Sequence, residues 1–213
     1  MIDVAVVDYG MGNLHSVAKA VEHVAPGAVV RVTGDPAEIK SARRVVFPGQ
    51  GAARDCMAAI DQRGLRAVVL DAAASKPFLG ICMGLQVLFE HSEEGDTACL
   101  GLFPGRVTRF SEAAMRDAQG HKLKVPHMGW NNVRQTRPHA LWGGIEDEAR
   151  FYFVHSYFVA PAADDLAVGV SAYPNEFVCA CARDNVFAVQ FHPEKSASAG
   201  LRLLANFMNW NPV

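Results

Sequence analysis

The sequence predicts an α/β protein built on an open mixed, mainly parallel sheet flanked by helices, with an antiparallel extension in its second half. Three observations predict it. Short β-rich runs alternate with helical patterns through the first half, as parallel strands joined by crossover helices do. Successive strand-like runs then follow one another with hairpin-like connections, and a helical segment over residues 199–210 closes the chain. At 213 residues the chain can bury one substantial core but is short for two ordinary domains, so residues 1–213 are read as a single domain.

Residues 2–7 are the first strand, and after the turn made by Gly10, Gly12 and Asn13 a helix runs over residues 14–23. Pro26 and Gly27 end it before a second strand at 29–32, and residues 44–47 form a third, stopped by Pro48. A helix over 65–74 leads into a short apolar strand at 77–81, after which 83–91 returns to helix with Gly95 as its cap. The later strands fall at 106–110, 125–133, 151–159, 166–171, 177–182 and 186–191. The polar stretch 111–124 reads as a solvated hairpin tip.

Composition narrows the function. Half the residues are hydrophobic and the net charge is −2, which excludes a disordered segment and a polycationic nucleic-acid binder and favours a small-molecule site. The opening residues place Asp3 inside an apolar stretch without a basic leader, and no uninterrupted apolar segment reaches spanning length, so a cytoplasmic protein with no membrane contact is expected. The five cysteines are an odd set without the spacing of a disulfide framework and are expected to be mostly reduced. Cys179 and Cys181 stand two apart, but with no CxxC pair or HExxH they read as small strand residues and no metal is expected. Gly10 and Gly12 follow the first strand, yet His15 stands where a dinucleotide fingerprint requires a third glycine and no P-loop occurs, so no nucleotide cofactor is expected.

The chemistry is carried by two segments far apart in the chain, one near its middle and one close to its tail. Gly80-Ile81-Cys82-Met83-Gly84 has the GxCxG form, a strand, a sharp turn and a helix that present a nucleophile. The glycines have a physical role, because side chains flanking so sharp a bend would collide with the neighbouring strand and helix. The following helix N-terminus adds positive potential beside the sulfur. Phe191-His192-Pro193-Glu194 follows an apolar strand, and period two in an extended segment puts His192 and Glu194 on one side. The carboxylate then holds one imidazole nitrogen while the other faces Cys82, fixing the tautomer and supporting the imidazolium. Acyl transfer also needs donors for the developing oxyanion, and Pro48-Gly49-Gln50-Gly51 after a strand, together with the amide after the nucleophile, supplies Gln50, Gly51 and Met83.

Together these motifs resemble the class I, triad-type glutamine amidotransferases, which have a flavodoxin-like sheet. Asp8-Tyr9-Gly10-Met11-Gly12-Asn13, Pro126-His127-Met128-Gly129-Trp130-Asn131, Phe151-Tyr152-Phe153-Val154-His155-Ser156-Tyr157 and Phe191-His192-Pro193-Glu194-Lys195-Ser196 are similar to the glutaminase subunits of imidazole glycerol phosphate synthase, and the resemblance spans essentially the whole chain. It implies that Cys82 attacks the side-chain amide of L-glutamine, giving a thioester and ammonia, and that His192 moves both protons. It further implies that Gln86, Glu94, Ser156 and Tyr157 hold the substrate. The partner implied is a TIM-barrel cyclase that takes up the ammonia for histidine biosynthesis, with Asn13, Ser16, Trp130 and Lys195 facing it. Gln50 stands where many relatives carry Val, and because the donor is backbone the chemistry is expected to survive. Two rival readings share the elbow, histidine and acid: a sibling amidotransferase subunit serving another pathway, and a stand-alone cysteine hydrolase of the γ-glutamyl peptidase type with an open cleft.

Overall fold

The computed structural model describes residues 1–212 apart from 112–114, 117 and 118. The first half alternates as expected: β1 (Val4–Val7), α1 (Leu14–Val24), β2 (Val30–Thr33), α2 (Pro36–Ser41), β3 (Arg44–Gly49), α3 (Ala53–Gln62), α4 (Arg66–Ser75) and β4 (Phe78–Cys82). Then come α5 (Met83–Gln86), β5 (Phe89–Ser92), β6 (Thr97–Ala98), β7 (Phe103–Arg109), β8 (His127–Gln135), β9 (Ala149–His155), β10 (Tyr157–Pro161), β11 (Ala167–Ala172), β12 (Glu176–Arg183), β13 (Val186–Val189) and α6 (Ala197–Asn209). The main sheet runs β2-β1-β3-β4-β13-β12-β10-β7-β5-β6, with β11 bridging β12 to β8 and β8 paired to β9. The block from β2 to β13 is parallel, whereas β13–β12, β12–β10 and β10–β7 are antiparallel. This is the mixed α/β architecture the sequence predicts.

The parallel strands are apolar on both faces because helices cover both. Val4, Val6, Leu79 and Ile81 pack with Val17 and Val21 of α1 and Leu203 and Phe207 of α6. Val7, Val45, Phe47 and Phe78 point the other way, onto Ile39 of α2, Ile60 of α3 and Val69 of α4. Complete burial of such a side chain contributes about 1.5–3 kcal/mol, so α1 and α6 are held chiefly by their apolar faces. Local caps set where helices begin: Asn13 accepts from Ser16 N at 3.4 Å, and Asp35 accepts from Ala37 N ahead of Pro36.

Several expectations need correction. The helix expected over 83–91 is one turn only, because Phe89–Ser92 leaves it to pair with β7 and β6. The strand expected over 151–159 breaks at Ser156: β9 pairs with β8, and β10 crosses to β7 and β12. Pro48 does not stop the third strand, which continues beside β4 to Gly49; pairing with β1 ends at Val46, so beyond it only one neighbour is served. The stretch 111–124 lies partly outside the described residues. Its described part carries an Arg116–Lys122 bridge as a hairpin does, but Met115 is buried in the core, so that side chain is not solvated.

Candidate active site

Three neighbouring parallel strands end at one place. Gly49 of β3 lies opposite Cys82 of β4, and Val189 of β13 lies opposite Ile81. The three strand ends therefore bring residues 50 and 51, Cys82 with α5, and His192 together at the carboxyl edge of the sheet. Open α/β sheets bind ligands at this edge. A cavity of about 290 Å³ occupies it, lined among others by Gln50, Gly51, Cys82, Met83, Gln86 and Glu94, and on the far wall by His155, Ser156, Tyr157, His192 and Lys195.

Cys82 sits at φ 56°, ψ −110°, a positive-φ conformation that a side-chain-bearing residue adopts only when its surroundings enforce it. The enforcement is visible at the two glycines. A Cβ on Gly84 would overlap the Phe47 carbonyl oxygen, and one on Gly80 would stand 2.8 Å from the Gly84 carbonyl oxygen and 2.9 Å from the Ala188 Cβ. The chain can therefore turn from β4 into α5 against β3 and β13 only with hydrogen at both positions. The turn leaves Cys82 5% exposed. As the first residue of α5, Met83 has a backbone N–H with no acceptor inside the helix.

The His192 side chain is 10% exposed, and its Nδ1 is 2.8 Å from Glu194 Oε1. The Glu194 side chain is 1% exposed, so this ion pair is shielded from solvent. Residues Pro193–Lys195 form a 3-10 turn rather than the extended segment expected, and the turn folds the carboxylate back to the ring. It is pinned by Ser196, whose Oγ donates to His192 O at 2.6 Å and accepts from Tyr152 N at 3.0 Å. Burial pushes the His192 pKa down, but hydrogen bonds with Cys82 and Glu194 and the charges of both outweigh it and raise the value to about 10. The buried carboxylate beside the ring thus favours the protonated imidazole.

The remaining wall is polar where it meets the cavity. Gln86 Nε2 donates to Tyr157 O at 3.2 Å and to Gln190 Oε1 at 2.9 Å, while Gln86 Oε1 is buried without a partner. Glu94 Oε2 accepts from Ala53 N at 2.7 Å and caps α3, for which Ala52 provides no side-chain acceptor.

The family model for class I glutamine amidotransferases matches residues 5–210. The chain belongs to the class I glutamine amidotransferase family. Among its relatives, the imidazole glycerol phosphate synthase subunit HisH of Thiobacillus denitrificans is 70% identical over 99% of this chain and 92% of its own length. The subunit of the same name from Aromatoleum aromaticum is 65% identical over 100% of both. The fold is that of a glutamine amidotransferase of known crystal structure, at 14% identity, with a TM-score of 0.71 over 97% of this chain and 99% of that one. A glutamine amidotransferase from Thermotoga maritima shares it at 15% identity, with a TM-score of 0.61 over 91% and 76%.

Within this amidotransferase, the residues singled out from sequence fall into three places. Gln50, Gly51, Cys82, Met83, Gln86, Glu94, Ser156, Tyr157, His192 and Lys195 line the cavity, and Glu194 stands behind His192. Trp130 is 44% exposed and packs edge-on against Tyr152, over whose ring Lys195 Nζ also lies. Asn13 and Ser16 open α1, on the surface. Sequence reasoning missed Gln190, which is fully buried and donates from Nε2 to Cys82 Sγ at 3.7 Å. A glutamine inside the apolar run 186–191 was the signal that could have found it. It also missed Cys56, whose Sγ donates to the carbonyl of Gln50 at 3.4 Å.

Proposed function

We propose that residues 1–213 form one glutaminase unit, the glutamine-hydrolysing subunit of an imidazole glycerol phosphate synthase, which releases ammonia from L-glutamine for a TIM-barrel cyclase subunit in histidine biosynthesis. The observation that carries the chemistry is the strained, buried Cys82 sharing one cavity with His192, whose imidazole Glu194 holds from behind. The relatives bearing that subunit's name carry the pathway.

In this reading the Cys82 sulfur bonds to the side-chain amide carbon of glutamine, and as the C–N bond breaks His192 delivers its proton to the departing nitrogen. Water then attacks the thioester, His192 takes its proton, and glutamate leaves with Cys82 restored. The oxyanion of each tetrahedral step is met by backbone donors at Gln50, Gly51 and Met83. Gln86 offers its unpartnered Oε1 to a donor of the substrate, Glu94 keeps its Oε1 for the substrate ammonium while Oε2 caps α3, and Ser156 and Tyr157 hold the carboxylate end. The cyclase docks on the face of Asn13, Ser16, Trp130 and Lys195. An enclosed path for ammonia keeps it from becoming ammonium, which lacks the nucleophilic lone pair. The setting is the cytoplasm; among the described residues no helix is long and apolar enough to cross a membrane.

The test is glutamate release from L-glutamine with and without the cyclase and its nucleotide. Strong stimulation by the pair is expected. Turnover independent of the cyclase would instead favour a stand-alone cysteine hydrolase.

A further inference from the structure

Two histidines at the Tyr157 wall, one of which lines the cavity, are not used by the chemistry above. His127 of β8 and His155 of β9 are opposite one another in the β8–β9 ladder, both buried, with His127 Nδ1 3.0 Å from His155 Nε2. His155 Nδ1 is 2.7 Å from the Tyr157 carbonyl oxygen, and His127 Nε2 is 3.3 Å from Asn131 Nδ2. The proton positions are dictated by the two ends. A carbonyl oxygen only accepts, so His155 carries its hydrogen on Nδ1 and presents a lone pair at Nε2. His127 must then donate from Nδ1 and accept at Nε2. The Asn131 amide is oriented to match, since its Nδ2 also donates to Ala172 O at 2.9 Å and its Oδ1 accepts from Asn132 N at 2.9 Å.

The line continues past Tyr157 to the nucleophile. The same Tyr157 carbonyl accepts from Gln86 Nε2, Gln86 donates to Gln190, and Gln190 donates to Cys82 Sγ. His155 ends β9 and Tyr157 begins β10, so the His155–Tyr157 bond spans the break at Ser156 that turns residues 156 and 157 toward the cavity.

We propose that Asn131, His127 and His155 form a proton-ordered strut that fixes the Tyr157 carbonyl, and through it Gln86 and Gln190, making the two histidines positioning residues for glutamine hydrolysis at Cys82. The strut's role rests on the glutaminase reading of the site. Its surroundings keep it uncharged. Tyr173 and Phe153 stack on His127, and Phe110, Phe153 and Phe177 pack around His155. Burial pushes His127 down to about 4; burial, with the charges of His127 and His192, takes His155 to about 3 against the raising bond to Tyr157. An uncharged pair leaves His192 free of a second cation in the adjacent wall.

The experiment uses the complex with its cyclase and has three readouts. Imidazole nitrogen NMR of the histidine-labelled complex between pH 5 and 9 is expected to show both residues as the Nδ1–H tautomer throughout. Either residue titrating in that range, or carrying its proton on Nε2, overturns the order. His155→Phe keeps a ring and removes both bonds. Glutaminase kcat is expected to fall at least tenfold while synthesis from added ammonia is retained, and His155→Asn, which restores a donor near the Nδ1 position, is expected to recover part of the loss. Asn131→Asp, at the half-exposed end, puts an acceptor against His127 Nε2. It is expected to lower glutaminase kcat and to give a histidine signal in a new protonation state, which keeps the test decisive if His155→Phe does not fold. Wild-type turnover preserved within twofold in His155→Phe or Asn131→Asp overturns the positioning role. A wild-type complex that does not hydrolyse glutamine fails the glutaminase reading instead, and leaves the NMR test of the strut intact.

Discussion

Glu194→Gln isolates the contribution of one charge. The carboxylate is nine-tenths or more removed from solvent, and one oxygen accepts from His192 Nδ1 at 2.8 Å while Oε2 has no partner. Glutamine has nearly the same shape, so packing is preserved. The substitution removes the charged acceptor facing the imidazolium, and hydrogen bonds to charged groups contribute about 1.5–3 kcal/mol. Because the imidazolium is the state the carboxylate favours, the loss falls on the proton-transfer steps and corresponds to a roughly 10- to 150-fold lower kcat at about 1.4 kcal/mol per decade. Stability carries a linked signature. The folded pKa of His192 is raised to about 10 from the ordinary 6.5, so its bound proton stabilises the fold fully below about 6.5 and the effect is lost as pH rises through about 10. The variant should therefore lose most stability, relative to wild type, at about pH 6 and approach it at about pH 10. The assay is steady-state glutamate release by the stimulated complex, with thermal unfolding at both pH values. A change confined to KM, or a stability difference that grows with pH, would refute the orienting role of Glu194.

Other positions carry further predictions. Cys82→Ala should abolish glutamine-dependent synthesis by the complex while synthesis from ammonium salts at alkaline pH persists; loss of both would give Cys82 a different role. Gly84→Ala places a methyl group on the Phe47 carbonyl, an overpacking that costs about 1–3 kcal/mol and should lower the melting temperature by roughly 2–12 °C. Unchanged melting and turnover would show that the turn at Cys82 tolerates a side chain. Cys56→Ala removes the donor to the Gln50 carbonyl. Burial pushes that thiol up to about 11, so it is held as a donor at every working pH. Freed from it, the Gln50–Gly51 peptide can rotate, and glutaminase turnover should fall with a stability loss of about 1–2 kcal/mol; unaltered turnover would separate Cys56 from the oxyanion segment.

The features legible in the sequence were those determined locally. β1, β4 and β13 are apolar runs because both faces are covered, and α1 announces itself through Asn13 and the periodicity of Val17 and Val21. Some signals were present and unread, such as Asp35 ahead of Pro36 at the start of α2. Others are not local at all. α3 begins after Ala52, which has no side-chain oxygen to cap it, and its acceptor is Glu94 from beyond β5. The expected helix after Cys82 stops at Gln86 because Phe89 and Phe103 meet across a parallel pairing of β5 with β7. Likewise, Glu194 reaches His192 through a turn rather than through strand periodicity, so the right partner was inferred from the wrong backbone.

The site itself is set by strand order more than by any motif. GxCxG specifies a bend, and FHPE specifies an imidazole beside a carboxylate, but neither specifies that they meet. The meeting is decided by β13 inserting next to β4, with Val189 opposite Ile81, so that the imidazole just past one strand stands beside the sulfur at the end of the other. The β3–β4 pairing brings residues 50 and 51 to the same edge by the same rule. An error of one strand in the order would move the imidazole by about 4.8 Å, beyond hydrogen-bond reach of the sulfur. The apolar, both-faces-buried character of residues 186–189 is what demands an interior place in the sheet. The hydrophobic pattern of β13 thus decides where His192 stands, and polar substitution at the fully buried Phe187 or Val189 should lower both the melting temperature and glutamate release; a variant that keeps both would separate the strand from the site.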